Sequence, residues 1–241
     1  MAPPPRPGIA DAEEIATFLL DAGVPPGARI LDVPCGLGRR AHVLAERGFR
    51  VTAVDPNEVA VQNLRKRVGA ALAGRLEYRT APLAALPDLP LTETYEAILC
   101  LDHALSRDPP GEDGAFLHRL RGHMAPGGTL AVDFLHRDFF ASRPRPFTYH
   151  VIGDIEQHEF RAFDPGTGIL ELTWKFYQRD GEDLRFRGTS SARLKLVAPH
   201  EAAQLLEAAG WKVEAFYGGW GKEAVSPDRR KLLLIARAAR G

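Results

Sequence analysis

Cysteine and methionine are scarce in this chain, with two of each among 241 residues. Cys35 and Cys100 are too few and too far apart for a disulfide framework or a zinc-ligand pattern. That fits a reducing, cytoplasmic setting, and no metal is expected. An excess of charge of one sign is also lacking. Lys plus Arg and Asp plus Glu number 31 each, so the formal net charge is zero. A nucleic acid held by bulk charge is therefore not an expected partner. No long apolar run is present. The most apolar short stretch, Leu232 to Ala236, ends at Arg237 and is too short to span a bilayer. Residues 1–8, rich in proline, read as a flexible tail with no secretory signal behind it. There is no repeat at solenoid periods and no linker that splits the chain. What remains is ordinary globular composition, 45% hydrophobic and 26% charged. The length suits one domain carrying an insertion.

Ile15, Phe18, Leu19 and Ala22 share a helical face that Gly23 closes. A regular alternation follows. Strands are expected at Arg29–Val33, Arg50–Asp55, Arg75–Thr80, Tyr95–Leu101 and Thr129–Phe134. Helices are expected at Arg39–Arg47, Asn57–Val68 and Glu112–Met124. This order implies right-handed crossovers and a mostly parallel sheet covered on both faces, a doubly wound α/β domain. After Phe134 the period changes to two. Leu170, Leu172, Trp174 and Phe176 alternate with polar neighbours, and Asp180-Gly181 is a hairpin turn. Residues 149–196 thus read as an inserted antiparallel meander of three strands, a cover for an acceptor site. A helix from Pro199 to Gly210 and strands at Trp211–Tyr217 and Lys231–Ala238 close the chain.

Ligands of such sheets bind beyond the carboxyl ends of the strands. After the first strand comes Asp32-Val33-Pro34-Cys35-Gly36-Leu37-Gly38, where glycines let the backbone approach a ligand. The glycines alone fit a dinucleotide site equally well. Asp32 argues otherwise, because a carboxylate there repels a pyrophosphate and favours a positively charged ligand such as S-adenosylmethionine (SAM). Asp55, about 20 residues on, is placed to accept hydrogen bonds from ribose hydroxyls at an exposed strand end. Asp55-Pro56-Asn57 also reads as a plain helix cap.

The stretch Ile30 to Arg39, followed by Val51-Thr52-Ala53-Val54-Asp55, resembles the cofactor loop of class I SAM-dependent methyltransferases. Tyr95 to Asp102 resembles their fourth-strand motif, and Pro126-Gly127-Gly128 the turn before their fifth strand. Arg161 to Gly168, Leu205 to Trp211 and Tyr217-Gly218-Gly219 are similar to a subgroup with extra antiparallel strands after the fifth. The resemblance implies a seven-stranded sheet of order 3-2-1-4-5-7-6 with a reversed last hairpin. It implies methionine contacts near Asp32 and Gly36, with Pro34, Gly38 and Leu101 in the same cofactor set. Asp55 would hold the ribose and Pro56 pack on the adenine. Ala81 and Pro82 would lie at the base edge, where many members instead place an acid.

Methyl transfer from a sulfonium needs alignment, exclusion of water and at most a proton acceptor. His103, after the fourth strand, is the candidate catalytic residue. It also reads as a polar wall of the methionine pocket. His136, after the fifth strand, and Tyr149, at the start of the meander, are candidate substrate contacts. Arg185 and Arg187, with Lys175 opposite, form a basic face that reads as solvated. Asp108-Pro109-Pro110-Gly111 reads as loop chemistry, since it lacks the aromatic of amino-methylating nucleic-acid enzymes. The reading is a SAM-dependent methyltransferase of a small-molecule acceptor, acting as a monomer or homodimer, with no membrane or nucleic-acid partner. An NAD-dependent oxidoreductase and a SAM-binding module without turnover are the alternatives.

Overall fold

The structure is a computed structural model, and it describes residues 9–82, 94–105, 113–143 and 145–238. The proposed tail, residues 1–8, and the 108–111 turn lie outside the described residues. Helix α1 (Ile9–Asp21) precedes an alternation of β1 (Arg29–Asp32), α2 (Arg39–Glu46), β2 (Arg50–Asp55), α3 (Glu58–Arg65), β3 (Leu76–Thr80), β4 (Tyr95–Cys100), α4 (Asp113–Leu120) and β5 (Met124–Leu135). A short helix α5 (Arg137–Ser142) leads into β6 (Phe147–Ile152), β7 (Ile155–Asp164), β8 (Ile169–Asp180) and β9 (Asp183–Lys195). Helix α6 (Pro199–Ala208) and strands β10 (Trp211–Tyr217) and β11 (Lys231–Ala238) complete the chain.

Seven strands form one sheet in the order β10-β11-β5-β4-β1-β2-β3. β1 to β5 are mutually parallel, and β11 runs antiparallel to both β5 and β10. Read from the other edge this is the expected 3-2-1-4-5-7-6 order. The period-two geometry of strands sends alternate residues to opposite faces. Ile30, Val51, Leu99 and Ile235 pack on α1 and α2 through Leu19, Ala41 and Leu44. Leu31, Val54, Ile98, Val132 and Leu234 pack on α4 and α6 through Phe116, Leu117 and Leu206. Both faces of the sheet are therefore dry, which is why its strands read as nearly continuous apolar runs. The Pro126-Gly127-Gly128 turn is an irregularity within β5. Pairing with β4 shifts between Tyr95 and Ala97, whose partners are Met124 and Thr129.

The insertion is an antiparallel sheet of four strands, in the order β6-β7-β8-β9, rather than three. β6 escaped the pattern because Phe147, Tyr149, Val151 and Ile152 all stay exposed, so no buried face marks it. The other face of this sheet carries Leu170 and Leu172, with Trp174, Phe163 and Leu194 partly buried beside them. They pack against Leu135 and Phe140 at the end of β5 and on α5. The insertion leaves and returns at one place. His136 bridges Val197, the Arg137 N–H donates to the Val197 carbonyl (3.2 Å), and the Arg137 guanidinium bonds both Glu201 oxygens (3.0 and 2.9 Å). The four-stranded sheet thus stands at the carboxyl end of β5, the ligand-binding end of the main sheet. Arg185 pairs with Asp180, and Lys175 faces Thr189 across the ladder rather than the two arginines. Among the described residues no helix is long and apolar enough to cross a membrane.

Leu172→Ala should lower stability by about 2–5 kcal/mol, since it opens a cavity in the small cluster that seats the second sheet. The midpoint of urea unfolding measures it.

Candidate active site

The first crevice loop begins where β1 ends. Gly38 caps α2 at φ 69°, a left-handed conformation that favours glycine. A Cβ added there would lie 2.7 Å from the Tyr78 hydroxyl and 2.9 Å from two Leu64 methyls. Tyr78 in turn donates to the Gly38 carbonyl (3.0 Å). Gly36, at φ 54°, has only open space where its Cβ would be, so the loop's backbone faces the crevice bare.

Asp55 is 7% exposed, not the open strand end expected from the sequence. Its two carboxylate oxygens accept from backbone amides, Oδ2 from Gly36 N–H (2.8 Å) and Oδ1 from Asn57 N–H (2.9 Å). It therefore ties the loop after β1 to the loop after β2. Each oxygen keeps a lone pair for a further donor. Asn57 caps α3, its side chain accepting from Ala60 N–H (3.0 Å). The helix-cap reading thus holds for Asn57, beside Asp55.

Asp32 is fully buried and does not offer a bare negative charge to a ligand. The Arg40 guanidinium donates to Asp32 Oδ1 twice, from Nε (2.9 Å) and Nη2 (2.7 Å). Arg40 Nη1 reaches Asp102 Oδ2 (3.0 Å), and Nη2 reaches the Pro34 carbonyl (3.3 Å). Burial pushes the Asp32 carboxyl up, against the lowering pull of Arg40. Burial also opposes charge on Arg40, but the two carboxylates outweigh it and hold the guanidinium above its ordinary value. Asp32 therefore does not by itself favour a positively charged ligand, because Arg40 on the following helix α2 already supplies its cation. A cavity of about 310 Å³ opens beside this cluster between α1 and the loop, lined by Asp11, Ile15, Gly36, Leu37, Arg40 and Asp102.

After β4, Asp102 and His103 both adopt positive φ (62° and 60°). Non-glycine residues held this way cost about 1–3 kcal/mol each and persist where the surroundings fix them. Here the fixing group is Asp133, which the sequence reading missed. Its Oδ1 accepts the His103 backbone N–H (2.9 Å) and lies 3.6 Å from the ring Nδ1. Lys231 Nζ stands 3.6 Å from Asp133 Oδ2. The available signal was a lone acid inside the apolar strand Leu130 to Phe134. Burial pushes the His103 imidazole down, against the carboxylates of Asp133 and Asp102.

The other expected residues fall in two groups. Pro34 and Leu101 lie in the loops after β1 and β4 and share their end of the sheet with Gly36, Gly38, Asp55 and Pro56. Ala81 is buried in the core, with its N–H on the Asp55 carbonyl (3.3 Å), so the loop there offers backbone at Ala81 and the exposed ring of Pro82. His136 is 2% exposed, and its Nδ1 lies against the carbonyls of Ser226 (3.1 Å) and Arg229 (3.3 Å). It fastens the loop before β11 and does not face a crevice. Tyr149 is 59% exposed and stacks near Phe147 on the face of the second sheet turned away from Leu170 and Leu172. Neither is brought to His103 as a substrate contact.

A family model described as "Methyltransferase domain" matches residues 30–128. That span holds the glycine loop, Asp55 and His103, and the strand order beyond it places an antiparallel β11 beside β5. A dinucleotide-binding sheet ends on a parallel strand there. Residues 30–128 thus match a methyltransferase domain, and the strand order gives the whole sheet the class I methyltransferase fold. Curated relatives include a glycine N-methyltransferase of Rattus norvegicus, 29% identical over 131 residues, 47% of this chain and 42% of the relative. A mitochondrial ubiquinone biosynthesis O-methyltransferase of Schizosaccharomyces pombe is 29% identical over 156 residues, 64% and 51% of the two chains. The chain spans about half the length of these relatives. Solved structures extend the likeness to nearly the whole fold. The CcbJ methyltransferase from Streptomyces caelestis superposes with a TM-score of 0.80 at 21% identity, covering 98% of this chain and 94% of that one. An amino pentose methyltransferase from Micromonospora echinaspora, solved with SAM bound, gives 0.72 at 19% identity, covering 97% and 93%. The cofactor that this likeness supports is SAM. The bare Gly36 backbone, the free lone pairs of Asp55 and the adjacent cavity fit its ribose and methionine parts.

Two substitutions test this geometry. Asp55→Ala should weaken SAM binding by about 2–4 kcal/mol, on the order of 30- to 1,000-fold, read by calorimetry. It should also lower the thermal midpoint, because two backbone amides lose their acceptor. Arg40→Met should cost about 3–5 kcal/mol by leaving Asp32 buried without its cation, read by denaturant unfolding at neutral pH.

Proposed function

We propose that the protein transfers the methyl group of SAM to a nitrogen or oxygen of a small-molecule acceptor, at the crevice between the glycine loop and His103. The observation that carries this reading is the His103 loop. A histidine with a burial-lowered pKa is pinned in a strained conformation by Asp133, at the strand end facing the cofactor loop. SAM supplies a methyl already activated by its sulfonium charge. The chain's residues then have three tasks. Asp55 and the Gly36 backbone hold the nucleoside. The Arg40 cluster fixes the loops around the methionine end. His103, neutral at pH 7, accepts a proton from the attacking group if it carries one. Asp133 positions that ring through its backbone.

A small acceptor fits two further facts. The net charge is zero, which suits no polyanionic partner. The anchoring of the second sheet at the carboxyl end of β5 supports its role as a cover of the acceptor site. The relatives named above include glycine, ubiquinone-pathway and amino pentose methyltransferases, all of them named for small molecules. Formation of S-adenosylhomocysteine with a panel of small amines and phenols tests the activity. Turnover with none of them, alongside intact SAM binding, would favour a binding module instead.

The pH dependence follows from the lowered His103 pKa. The unfolded chain takes up this proton near its ordinary value of 6.5, before the native imidazole does. His103 therefore contributes stability that is present above that value and is lost as pH falls through the native pKa. Turnover should hold at neutral pH and decline only on the acid side of 6.5. His103→Asn, which tolerates positive φ, should lower kcat more than SAM affinity and remove that acid limb. Profiles of kcat/KM against pH check both.

A further inference from the structure

Away from the cofactor crevice, a cavity of about 380 Å³ opens between α5 and the β7–β8 end of the second sheet. Its floor is apolar, formed by Phe140, Phe163 and Leu170, and three guanidiniums, of Arg143, Arg145 and Arg161, line it. A fourth, Arg230, stands over the Phe140 ring at 5.5 Å, with Arg161 over the same ring at 5.8 Å. Among the described residues, two carboxylates are in ion-pair contact with this group. Glu159 pairs with Arg161 and Asp228 with Arg143. Among the described residues, the Arg145 side chain has no hydrogen-bond or ion-pair partner, and Arg230 has no carboxylate within ion-pair distance. Burial and the neighbouring Arg161 charge push the Arg230 guanidinium down, against Glu159.

Among the described residues, four cations against two anions leave about two positive charges uncompensated around an apolar floor. Guanidiniums favour oxyanions because their N–H groups match carboxylate and phosphate oxygens in pairs. The floor favours a flat or apolar body beneath that head. We infer that this cavity binds a small organic oxyanion, a carboxylate or phosphate ester carried on an apolar body. Arg145 would be its principal charge contact and Phe140 its stacking surface. The inference does not depend on which acceptor is methylated.

Glu159 joins the site to an optical probe, since it accepts from both Arg161 and the Trp174 indole N–H (2.7 Å). Titrations of the intact protein with phenyl phosphate, benzoate, inorganic phosphate and benzyl alcohol, followed by tryptophan emission and calorimetry, test it. Phenyl phosphate or benzoate should bind saturably, inorganic phosphate more weakly, and benzyl alcohol least. The preference between the first two tells a phosphate ester from a carboxylate. Arg145→Glu should raise the Kd of the better anion about tenfold or more, with thermal midpoint and SAM affinity unchanged. Arg143→Glu serves as a second variant. No saturable binding of either aryl anion at low-millimolar concentration would overturn the inference. So would parental affinity in both variants, or benzyl alcohol binding as well as benzoate.

Discussion

A guanidinium buried between two carboxylates holds the crevice together. Arg40 starts on α2, reaches back to Asp32 at the end of β1, and across to Asp102 after β4. A buried charge of this kind costs several kcal/mol unless its partners stay in place. The loops after β1 and β4 are therefore fixed relative to each other before any ligand arrives. Asp55 does the same for the loops after β1 and β2, through two amide hydrogen bonds. The strained pair Asp102–His103 is in turn held from below by Asp133. Four acids, Asp32, Asp55, Asp102 and Asp133, each at or near the end of a strand, thus set the shape of one binding edge. Preorganisation of this kind matters for methyl transfer, where alignment rather than bond activation is the protein's task.

The second sheet depends on the same edge. Its return to the chain at Val197 meets His136 directly beyond β5, and Arg137 joins the two crossings to Glu201. His136 turns its ring into the loop before β11 instead of toward the crevice. These contacts explain how a long antiparallel insertion leaves the parallel order of the main sheet undisturbed. They also leave the insertion's apolar face on α5 and its aromatic face, with Phe147, Tyr149 and Phe186, toward solvent.

Much of this was legible in the sequence because it rests on local chemistry. Short apolar runs, each closed by an aspartate, mark β1, β2 and β4 to within a residue, and the Asp180-Gly181 turn locates the β8–β9 hairpin. What stayed hidden depends on partners distant in the chain. Arg40 carries no sequence signal of its role, because one of its partners, Asp102, lies 62 residues on. Asp55 reads as an exposed ribose acceptor until Gly36, 19 residues back, is seen to donate to it. For His136 and Tyr149 strand order fixes only the end of a strand and not the direction of a side chain. Asp133 left a trace, a single acid in an apolar strand, whose meaning came only with the His103 amide above it.

The most direct measurement is a crystal structure of the protein grown with S-adenosylhomocysteine. Both ribose hydroxyls should lie on Asp55, the nucleoside along the Gly36 backbone, and the sulfur should be directed to the space beside His103. A nucleoside bound elsewhere, or at this edge with its ribose out of hydrogen-bond reach of Asp55, would contradict this placement.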